Sequence, residues 1–273
     1  MEHIPMVDLK AQYLQIQAAL QPCILQCAEE GKYIQGRSVA AFENALASYT
    51  GMSQVISCGN GTDALQLAVM ALNLPKGSKI IVPAFTFIAP VEVISFLGYE
   101  PIYADIDPTA FNITLEHIHA VYTSEVSAII VVHLFGLPCK DIDRIYAFCN
   151  EKNIALIEDN AQSLGAEKAI TRKSIITTSF FPTKNLGAMG DGGAVLRRRQ
   201  ARRSRGIRHQ TFVRLIFPHH KSVFHRFVDF FLCIVGLLAC GIHTQPEFVE
   251  FTLFYRVQDP QVGISVVFLE FVF

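Results

Sequence analysis

The stretch SAIIVVHLFGLPCKDIDRIYAFCNEKNIALIED, residues 127–159, decides the fold class of this chain. It begins with a near-continuous β-branched run (127–133), continues through a segment of helical periodicity (141–153) and ends on a second apolar run (154–159). Such runs are typical of strands that are covered on both faces, and a helix between two of them predicts a parallel pair. This unit therefore predicts an α/β fold.

The same alternation of strands and helices extends from about residue 53 to residue 196. Two further helices are predicted from DALQLAVMAL (63–72) and PVEVISFL (90–97), and four further strands from KIIVP (79–83), PIYAD (101–105), TTSFF (177–181) and GGAVL (192–196). The order predicts a mainly parallel sheet flanked by helices. Ligands of such sheets bind beyond the carboxyl ends of the strands, so the polar residues there are candidates for a site.

A glycine turn precedes the predicted helix 63–72. It reads Gly59-Asn60-Gly61-Thr62-Asp63. The first turn of a helix offers unpaired N–H groups and a positive dipole end, which suit a phosphate. The same letters also describe an ordinary turn with an N-cap, so this motif alone leaves both interpretations open.

A carboxylate ends the apolar strand 154–159, in the motif Glu158-Asp159-Asn160-Ala161-Gln162. Burying a carboxylate is costly unless it has a partner. A protonated ring nitrogen is one such partner, and the pair would keep that ring charged. An N-cap for the following segment is the alternative interpretation.

A lysine lies between a predicted strand and a glycine-rich loop, in SFFPTKNLGAMGDGG (179–193). Lys184 follows Ser179 by five positions. A lysine of lowered pKa forms a Schiff base with an aldehyde, although an isolated lysine is usually a solvated surface residue. The order of glycine turn, strand-end acid and lysine within one α/β frame favours the chemical interpretation.

These motifs together resemble the DegT/DnrJ/EryC1/StrS family of sugar aminotransferases, within the fold-type I pyridoxal-phosphate enzymes. The resemblance runs from Ile4 to Leu196. It is carried by VDLKAQY, GKYIQG, NGTDAL, PAFTF, PIYADID, VVHLFG, EDNAQSLGAE and SFFPTKNLGAMGDGGAV. The cofactor that it implies is pyridoxal 5′-phosphate.

The resemblance implies roles for the residues that would contact the ring of this cofactor. Lys184 would bond to it covalently and then carry the proton between substrate carbon and cofactor. Asp159 would pair with the pyridine nitrogen, and Gln162 would hydrogen-bond the phenolic oxygen. Phe87 would stack on the ring, with a place in the hydrophobic core as the alternative.

The phosphate of the cofactor would lie at the glycine turn. The resemblance assigns it to Thr62, to the backbone N–H of Asp63 and to Ser179, with Gly61 allowing the close approach. No metal ion is expected at this site.

The reaction implied is the transfer of an amino group, usually from glutamate, to a keto carbon of a nucleotide-linked sugar. UDP-linked 3-keto-N-acetylglucuronate is the expected substrate, for amino-sugar or cell-surface polysaccharide biosynthesis. Relatives that carry histidine in place of the lysine are dehydratases, so Lys184 favours an aminotransferase. The family members work as homodimers that share active sites.

The composition changes after residue 196, and so does the resemblance. Residues 1–196 hold 12 basic and 19 acidic residues, against 11 and 5 in residues 197–273, which also contain twelve of the 21 phenylalanines. We therefore expect an N-terminal helical arm (1–50), a cofactor-binding large domain (51–196) and an atypical tail (197–273). The small C-terminal domain of the family is expected to be missing or disrupted. An out-of-frame reading is the preferred account, and a lineage-specific tail is the alternative.

Two consequences for function follow from these departures. The connection between Ala166 and Thr178 is shorter than the family's, which predicts a shift of Ser179 and Lys184 relative to Asp159. A chain without the family's C-terminal region would also be a non-catalytic remnant, and this is the alternative to a working aminotransferase.

Several classes of protein are disfavoured by the remaining features. The seven cysteines form no C-x-x-C pair, which argues against zinc and disulfides and favours a reducing compartment. Cys23 and Cys27, four apart, are predicted to pack in the core. The N-terminus does not resemble a signal peptide, so a cytoplasmic location is expected. FFLCIVGLLACGI (230–242) is shorter than the roughly 20 residues of a membrane span, and the arginine-rich stretch 197–210 lacks aromatic residues, so neither membrane nor nucleic acid is expected as a partner.

Overall fold

The computed structural model describes residues 7–166 and 174–198, together with the backbone of two strands at 251–259 and 263–271. The chain divides into two units, residues 1–235 and residues 236–273. The described part of the first unit contains one seven-stranded sheet with helices around it. The described part of the second unit is a two-stranded sheet.

The elements of the first unit follow the alternation expected from residue 53 onward. The helices are α1 (Leu9–Glu30), α2 (Arg37–Thr50), α3 (Gly61–Ala71), α4 (Ala89–Phe96), α5 (Leu115–Val121) and α6 (Ile142–Lys152). The strands are β1 (Gln54–Cys58), β2 (Lys79–Pro83), β3 (Glu100–Ala104), β4 (Val126–Val132), β5 (Ala155–Asp159), β6 (Ile175–Ser179) and β7 (Gly193–Arg197). The strand predicted from TTSFF begins two residues earlier, at Ile175, and ends before Phe180.

The strands of the sheet lie in the order β1-β7-β6-β5-β4-β2-β3. The pairs β6–β5, β5–β4, β4–β2 and β2–β3 are parallel, which confirms the predicted mainly parallel sheet. Strand β7 runs antiparallel to both of its neighbours, β1 and β6. Periodicity predicted β7 as a strand but did not predict its direction.

Helices cover the central strands on both faces, which is why β4 is apolar at every position except Ser127. One face of the sheet, with Ile130 and Ile157, packs against α3 and α4. The other face, with Ile129 and Val131, packs against α5 and α6. Each fully buried Ile or Val stabilises the fold by about 1.5–3 kcal/mol relative to an exposed one.

The helix α6 illustrates how the chain leaves a helix for the next buried strand. It ends at Lys152, and Asn153 then adopts a left-handed backbone with φ 55°. Asparagine tolerates this region better than most residues. The chain thereby turns directly into β5.

The N-terminal helices α1 and α2 behave differently from one another. The long helix α1 has no buried residue, whereas α2 places Leu46 in the core with Phe42 packed beside it. Packing thus joins α2 to the core of the first unit, whereas α1 contributes no buried residue to it. The prediction that Cys23 and Cys27 pack in the core is wrong, because both side chains are exposed on α1.

The second unit contains strands β8 (Phe251–Asp259) and β9 (Gly263–Phe271), which pair antiparallel. The segment GISVVFLEF forms β9 and pairs with the preceding strand of its own chain. Within the described ranges, the helices are too short or too polar to cross a bilayer. Residues 230–242 and the arginine-rich stretch 199–210 lie outside the described residues.

Candidate active site

Four chain segments meet at one end of the sheet. Strand β5 ends there at Asp159 and β6 at Ser179, while β7 begins there at Gly193. Gly193 pairs with Ser179 on one side and with Cys58, the end of β1, on the other. The antiparallel direction of β7 thus brings the glycine turn after β1 beside β6, although the sequence separates these segments widely.

The glycine turn approaches its neighbours too closely for larger residues. A Cβ atom on Gly61 would lie 2.7 Å from the Cβ of Ser179 and 3.1 Å from its Oγ. A Cβ atom on Gly193 would lie 2.1 Å from the carbonyl oxygen of Asn60. Glycine at both positions therefore lets the start of α3 pack directly against the ends of β6 and β7. The Ser179 hydroxyl comes to lie at the first turn of that helix.

The start of α3 is capped within the chain. Oδ1 of Asn60 accepts a hydrogen bond from the backbone N–H of Asp63 at 2.7 Å. The N-cap interpretation of the glycine turn is thus observed, and the N–H group that the resemblance gave to a phosphate already has an acceptor. Thr62 lies in the same first turn, where helix N–H groups lack partners within the helix.

The carboxyl group of Asp159 is buried at the carboxyl end of strand β5. Its residue is only 6% exposed, and this burial raises the pKa of the carboxyl group. The hydrogen bond from the N–H of Ala161, at 3.0 Å, and the positive charge of Lys184 both oppose that shift. Lys184 thus lies within range to act on Asp159 through its charge.

Lys184 sits in a tight loop after β6. Its backbone N–H donates to the carbonyl of Phe181 at 2.8 Å, and the N–H of Ala188 donates to the carbonyl of Phe180 at 2.8 Å. A Cβ atom on Gly187 would lie 2.2 Å from the carbonyl oxygen of Pro182, so the loop closes on itself only with glycine there. This fold leaves the lysine half-buried beside the strand ends.

Strand β6 lies beside β5 although the connection between them is short. Residues 167–173 of that connection lie outside the described residues. Strand β6 nevertheless pairs in register with β5, with Thr177 opposite Asp159, and the N–H of Asn160 donates to the carbonyl of Thr177 at 2.8 Å. Ser179 and Lys184 therefore follow a strand that lies directly beside Asp159.

Two of the predicted ring contacts have clear positions. Oε1 of Gln162 accepts from the backbone N–H of Phe135 at 2.7 Å, so the amide nitrogen is the half of this side chain that suits an oxygen ligand. Phe87 is 65% exposed, which makes its alternative placement in the core wrong.

The acidic side chains next to the glycine turn also shape its electrostatics. Burial, followed by the charge of Asp191, raises the pKa of the Asp63 carboxyl. Burial raises the pKa of the Cys58 thiol to about 12. Cys58 is therefore a neutral thiol near neutral pH and not a nucleophile.

Sequence reasoning missed several polar residues around Asp159. Thr177 lies opposite Asp159 in the sheet and is fully buried, as are His133 and Glu158. A signal for the last two was present, because a histidine and a glutamate within otherwise apolar strand segments need partners. The sequence alone did not say which partners they have.

Comparison with known proteins gives the following similarities. The sequence model of the DegT/DnrJ/EryC1/StrS aminotransferase family matches residues 15–217, which extends past Leu196, where the motifs become unrecognisable. UDP-2-acetamido-2-deoxy-3-oxo-D-glucuronate aminotransferase of Pseudomonas aeruginosa is 41% identical over 196 residues, covering 70% of this chain and 54% of that protein. The chain thus spans about half the length of this relative.

Solved structures show the same relationship. A DegT DnrJ EryC1 StrS aminotransferase from Brucella abortus superposes with TM-score 0.70 at 31% identity, covering 86% of this chain and 68% of that one. NtdA from Bacillus subtilis, solved with the cofactor PMP bound, gives TM-score 0.64 at 29% identity, covering 73% of this chain and 46% of that one.

Proposed function

We propose that this chain, which belongs to the DegT/DnrJ/EryC1/StrS aminotransferase family, binds pyridoxal 5′-phosphate and transfers an amino group to a nucleotide-linked keto sugar. The observation that carries the proposal is the buried carboxyl group of Asp159 at the end of β5, next to the strand β6 whose following loop holds Lys184. A lysine and a buried acid at this end supply the covalent anchor and the counter-charge that such a cofactor needs.

The residues at the strand ends fit the cofactor group by group. Burial raises the pKa of the Asp159 carboxyl more than its hydrogen bonds and nearby charges lower it. A pyridinium nitrogen would add the positive charge that stabilises the carboxylate. The first turn of α3 lies so close to Ser179 that Gly61 has no room for a Cβ atom. The N–H groups of this turn and the Ser179 hydroxyl together suit a phosphate. PMP, bound in the NtdA structure, is the amino form of the same cofactor.

The bound cofactor supplies an electron sink that stabilises negative charge at the substrate carbon. Lys184 would hold this group through Nζ and would move the proton at the substrate carbon. Asp159 would pair with its pyridine nitrogen, and Gln162 would donate from its amide nitrogen to its phenolic oxygen. Phe87, exposed just before α4, would cover the ring face.

The phosphate is held at the glycine turn by Thr62 and Ser179. The N–H of Asp63 takes part only if its hydrogen bond to Asn60 is shared, because Oδ1 of Asn60 is its acceptor in the structure. We therefore assign a smaller contribution to the Asp63 N–H than to the two hydroxyl groups.

The substrate that we propose is UDP-linked 3-keto-N-acetylglucuronate, with glutamate as the amino donor. The support is the Pseudomonas aeruginosa relative, which is named for this keto sugar and is 41% identical to the chain. The product would be an amino sugar for cell-surface polysaccharide biosynthesis. The scattered cysteines are the reason for proposing a cytoplasmic reaction.

We further propose a homodimer of this chain, whose cofactor-binding large domain is proposed to span residues 51–196. The exposed apolar side chains of α1, such as Leu14, Ile16 and Leu25, need cover that the described part of the chain does not give. A second subunit is the proposed cover. Residues 197–273 are proposed as a separate tail.

The experiment that tests this function uses the purified 273-residue chain. Added pyridoxal phosphate should produce a protein-bound absorbance band, borohydride should fix the cofactor to Lys184 as shown by mass spectrometry, and amino transfer from glutamate to the UDP-linked keto sugar should follow. A band without turnover would favour the non-catalytic remnant. No band and no labelled lysine would contradict the proposal.

A further inference from the structure

Three consecutive backbone N–H groups follow β4, and two of them donate to residues of the proposed site. The N–H of His133 donates to the carbonyl of Asp159 at 3.1 Å, and the N–H of Phe135 donates to Oε1 of Gln162 at 2.7 Å. Between them, the N–H of Leu134 donates to Oδ1 of the buried Asn112 at 3.2 Å. We call residues 133–136 the β4 turn. It contacts both residues that would hold the ring of the cofactor.

The imidazole of His133 is fully buried beneath this turn, and its hydrogen bonds define one tautomer. Nδ1 accepts a hydrogen bond from the backbone N–H of Cys139 at 3.0 Å. A backbone N–H is always a donor, so Nδ1 carries no hydrogen and the ring is neutral with its hydrogen on Nε2. That hydrogen points to Oε2 of Glu158, with Nε2 and Oε2 3.2 Å apart.

Glu158 links the histidine to two strands at once. It lies in β5 directly before Asp159, so its side chain and that of Asp159 lie on opposite faces of the sheet. Oε2 of Glu158 accepts from His133, and Oε1 accepts from the hydroxyl of Ser174 at the start of β6. All three residues are buried, where a lost partner costs about 1–3 kcal/mol for each unsatisfied group.

We infer that His133 is a positioning residue of the proposed cofactor site: its Nε2–H tautomer joins the β4 turn to Glu158, and this bond holds Asp159 and Gln162 in their places. The inference rests on the proposed function, because that function requires the side chains of Asp159 and Gln162 to hold fixed positions. His133 itself lies on the face of the sheet opposite to the carboxyl group of Asp159 and does not touch the cofactor.

Two variants of His133 separate its two hydrogen bonds. His133→Gln places an amide N–H near the position of Nε2 and keeps the donor to Glu158. His133→Asn places an amide oxygen near the position of Nδ1, and so keeps the acceptor for Cys139 while losing the donor. The two side chains have similar size and polarity, and they serve as matched controls for each other.

Amide hydrogen exchange in the cofactor-free chain measures whether Asp159 and Gln162 are held in their positions. The N–H of Ala161 reports on Asp159, whose Oδ1 it contacts at 3.0 Å, and the N–H of Phe135 reports on Gln162. We expect about tenfold faster exchange at both amides in His133→Asn and less than threefold change in His133→Gln, with the central β4 amide of Ile130 unchanged in both. If the amides of Ala161 and Phe135 exchange equally fast in the two variants, whether that rate is raised or not, the inference is overturned.

Two further measurements separate this inference from its premises. Affinity for pyridoxal phosphate should fall in His133→Asn and not in His133→Gln; a wild-type chain that binds no cofactor contradicts the proposed function, while the exchange rates still decide the role of His133. If His133→Asn does not fold, nitrogen NMR of the His133 imidazole in the wild-type chain tests the inference through the tautomer of that ring. A neutral ring with hydrogen on Nε2 at pH 7 is expected, and a charged ring or hydrogen on Nδ1 overturns the inference.

Discussion

The ammonium group of Lys184 acts on the carboxyl group of Asp159. Burial raises the pKa of Asp159, and the nearby positive charge of Lys184 is among the effects that oppose the shift. The two residues belong to different segments, the end of β5 and the loop after β6, which the parallel register of these strands brings together. This relationship is the centre of the proposed site, and the first two predictions test its two members.

Replacing Lys184 by alanine should abolish amino transfer and the protein-bound cofactor band. Proton transfer by a positioned side chain contributes about 10²–10⁴-fold, and loss of the covalent anchor adds to this. Lys140→Ala, which removes an exposed lysine after the β4 turn, is the matched control and should leave both readouts unchanged. A Lys184→Ala chain that keeps a tenth of the activity would remove Lys184 from this role.

Asp159→Asn should keep cofactor binding and lose most of the turnover. The neutral amide has nearly the shape of the carboxyl group but does not hold a ring nitrogen in its protonated form. We expect a loss of about 10²–10³-fold in kcat, as for other groups aimed at developing charge. Titration of the cofactor band and steady-state kinetics measure the two effects separately. Unchanged turnover would exclude Asp159 from the site.

Gly61→Ala should destabilise the chain and weaken cofactor binding together. The added Cβ atom would lie 2.7 Å from the Cβ of Ser179, and such overpacking costs about 1–3 kcal/mol. The double variant Gly61→Ala with Ser179→Gly removes the clash, so a double-mutant cycle should show a favourable coupling in the free energy of unfolding. Strictly additive effects would mean that the two residues are not in contact.

Asp107 should make the stability of the chain dependent on pH in the acid range. The hydrogen bond from the Thr109 hydroxyl, followed by those from the N–H groups of Ala110 and Thr109, lowers the pKa of Asp107 to about 2 from 3.8. A carboxyl group whose pKa is lowered by folding stabilises the native state above its unfolded pKa, and this stability is lost as the pH falls toward about 2.

The urea midpoints of wild type and Asp107→Ala should therefore differ at pH 6 and converge near pH 2. Asp107→Asn keeps an oxygen acceptor but cannot ionise, and it should lie between them at pH 6. A difference that stays constant across this pH range would contradict the role of the charge.

Limited proteolysis tests the proposed division of the chain at residue 196. The stretch RRRQARRSRGIRHQ, residues 197–210, is rich in trypsin sites, and composition alone predicts a change of character there. Trypsin should cut this stretch first and leave the large domain intact. A tail that resists trypsin as well as residues 51–196, in a soluble dimer, would identify it as a genuine domain.

The sequence predicted the order of the elements well because burial controls periodicity. The runs at 127–133 and 154–159 are apolar at nearly every position, and they form β4 and β5, which are covered on both faces. The same reasoning gave a wrong prediction for the cysteines of α1. A spacing of four residues shows that Cys23 and Cys27 share a helix face, but it does not say whether another element covers that face.

By itself, the sequence determined the family, the α/β class, and the positions of Asp159 at a strand end and of Lys184 between a strand and a glycine-rich loop, since each depends on local patterns of residues. The tertiary structure decided which ends meet. Strand β7 lies antiparallel between β1 and β6, and this brings Gly61 against Ser179. The tautomer of His133 likewise depends on Cys139 and Glu158, which come from separate elements. Strand pairing and buried hydrogen bonds join residues far apart in the chain, and no local pattern specifies their partners.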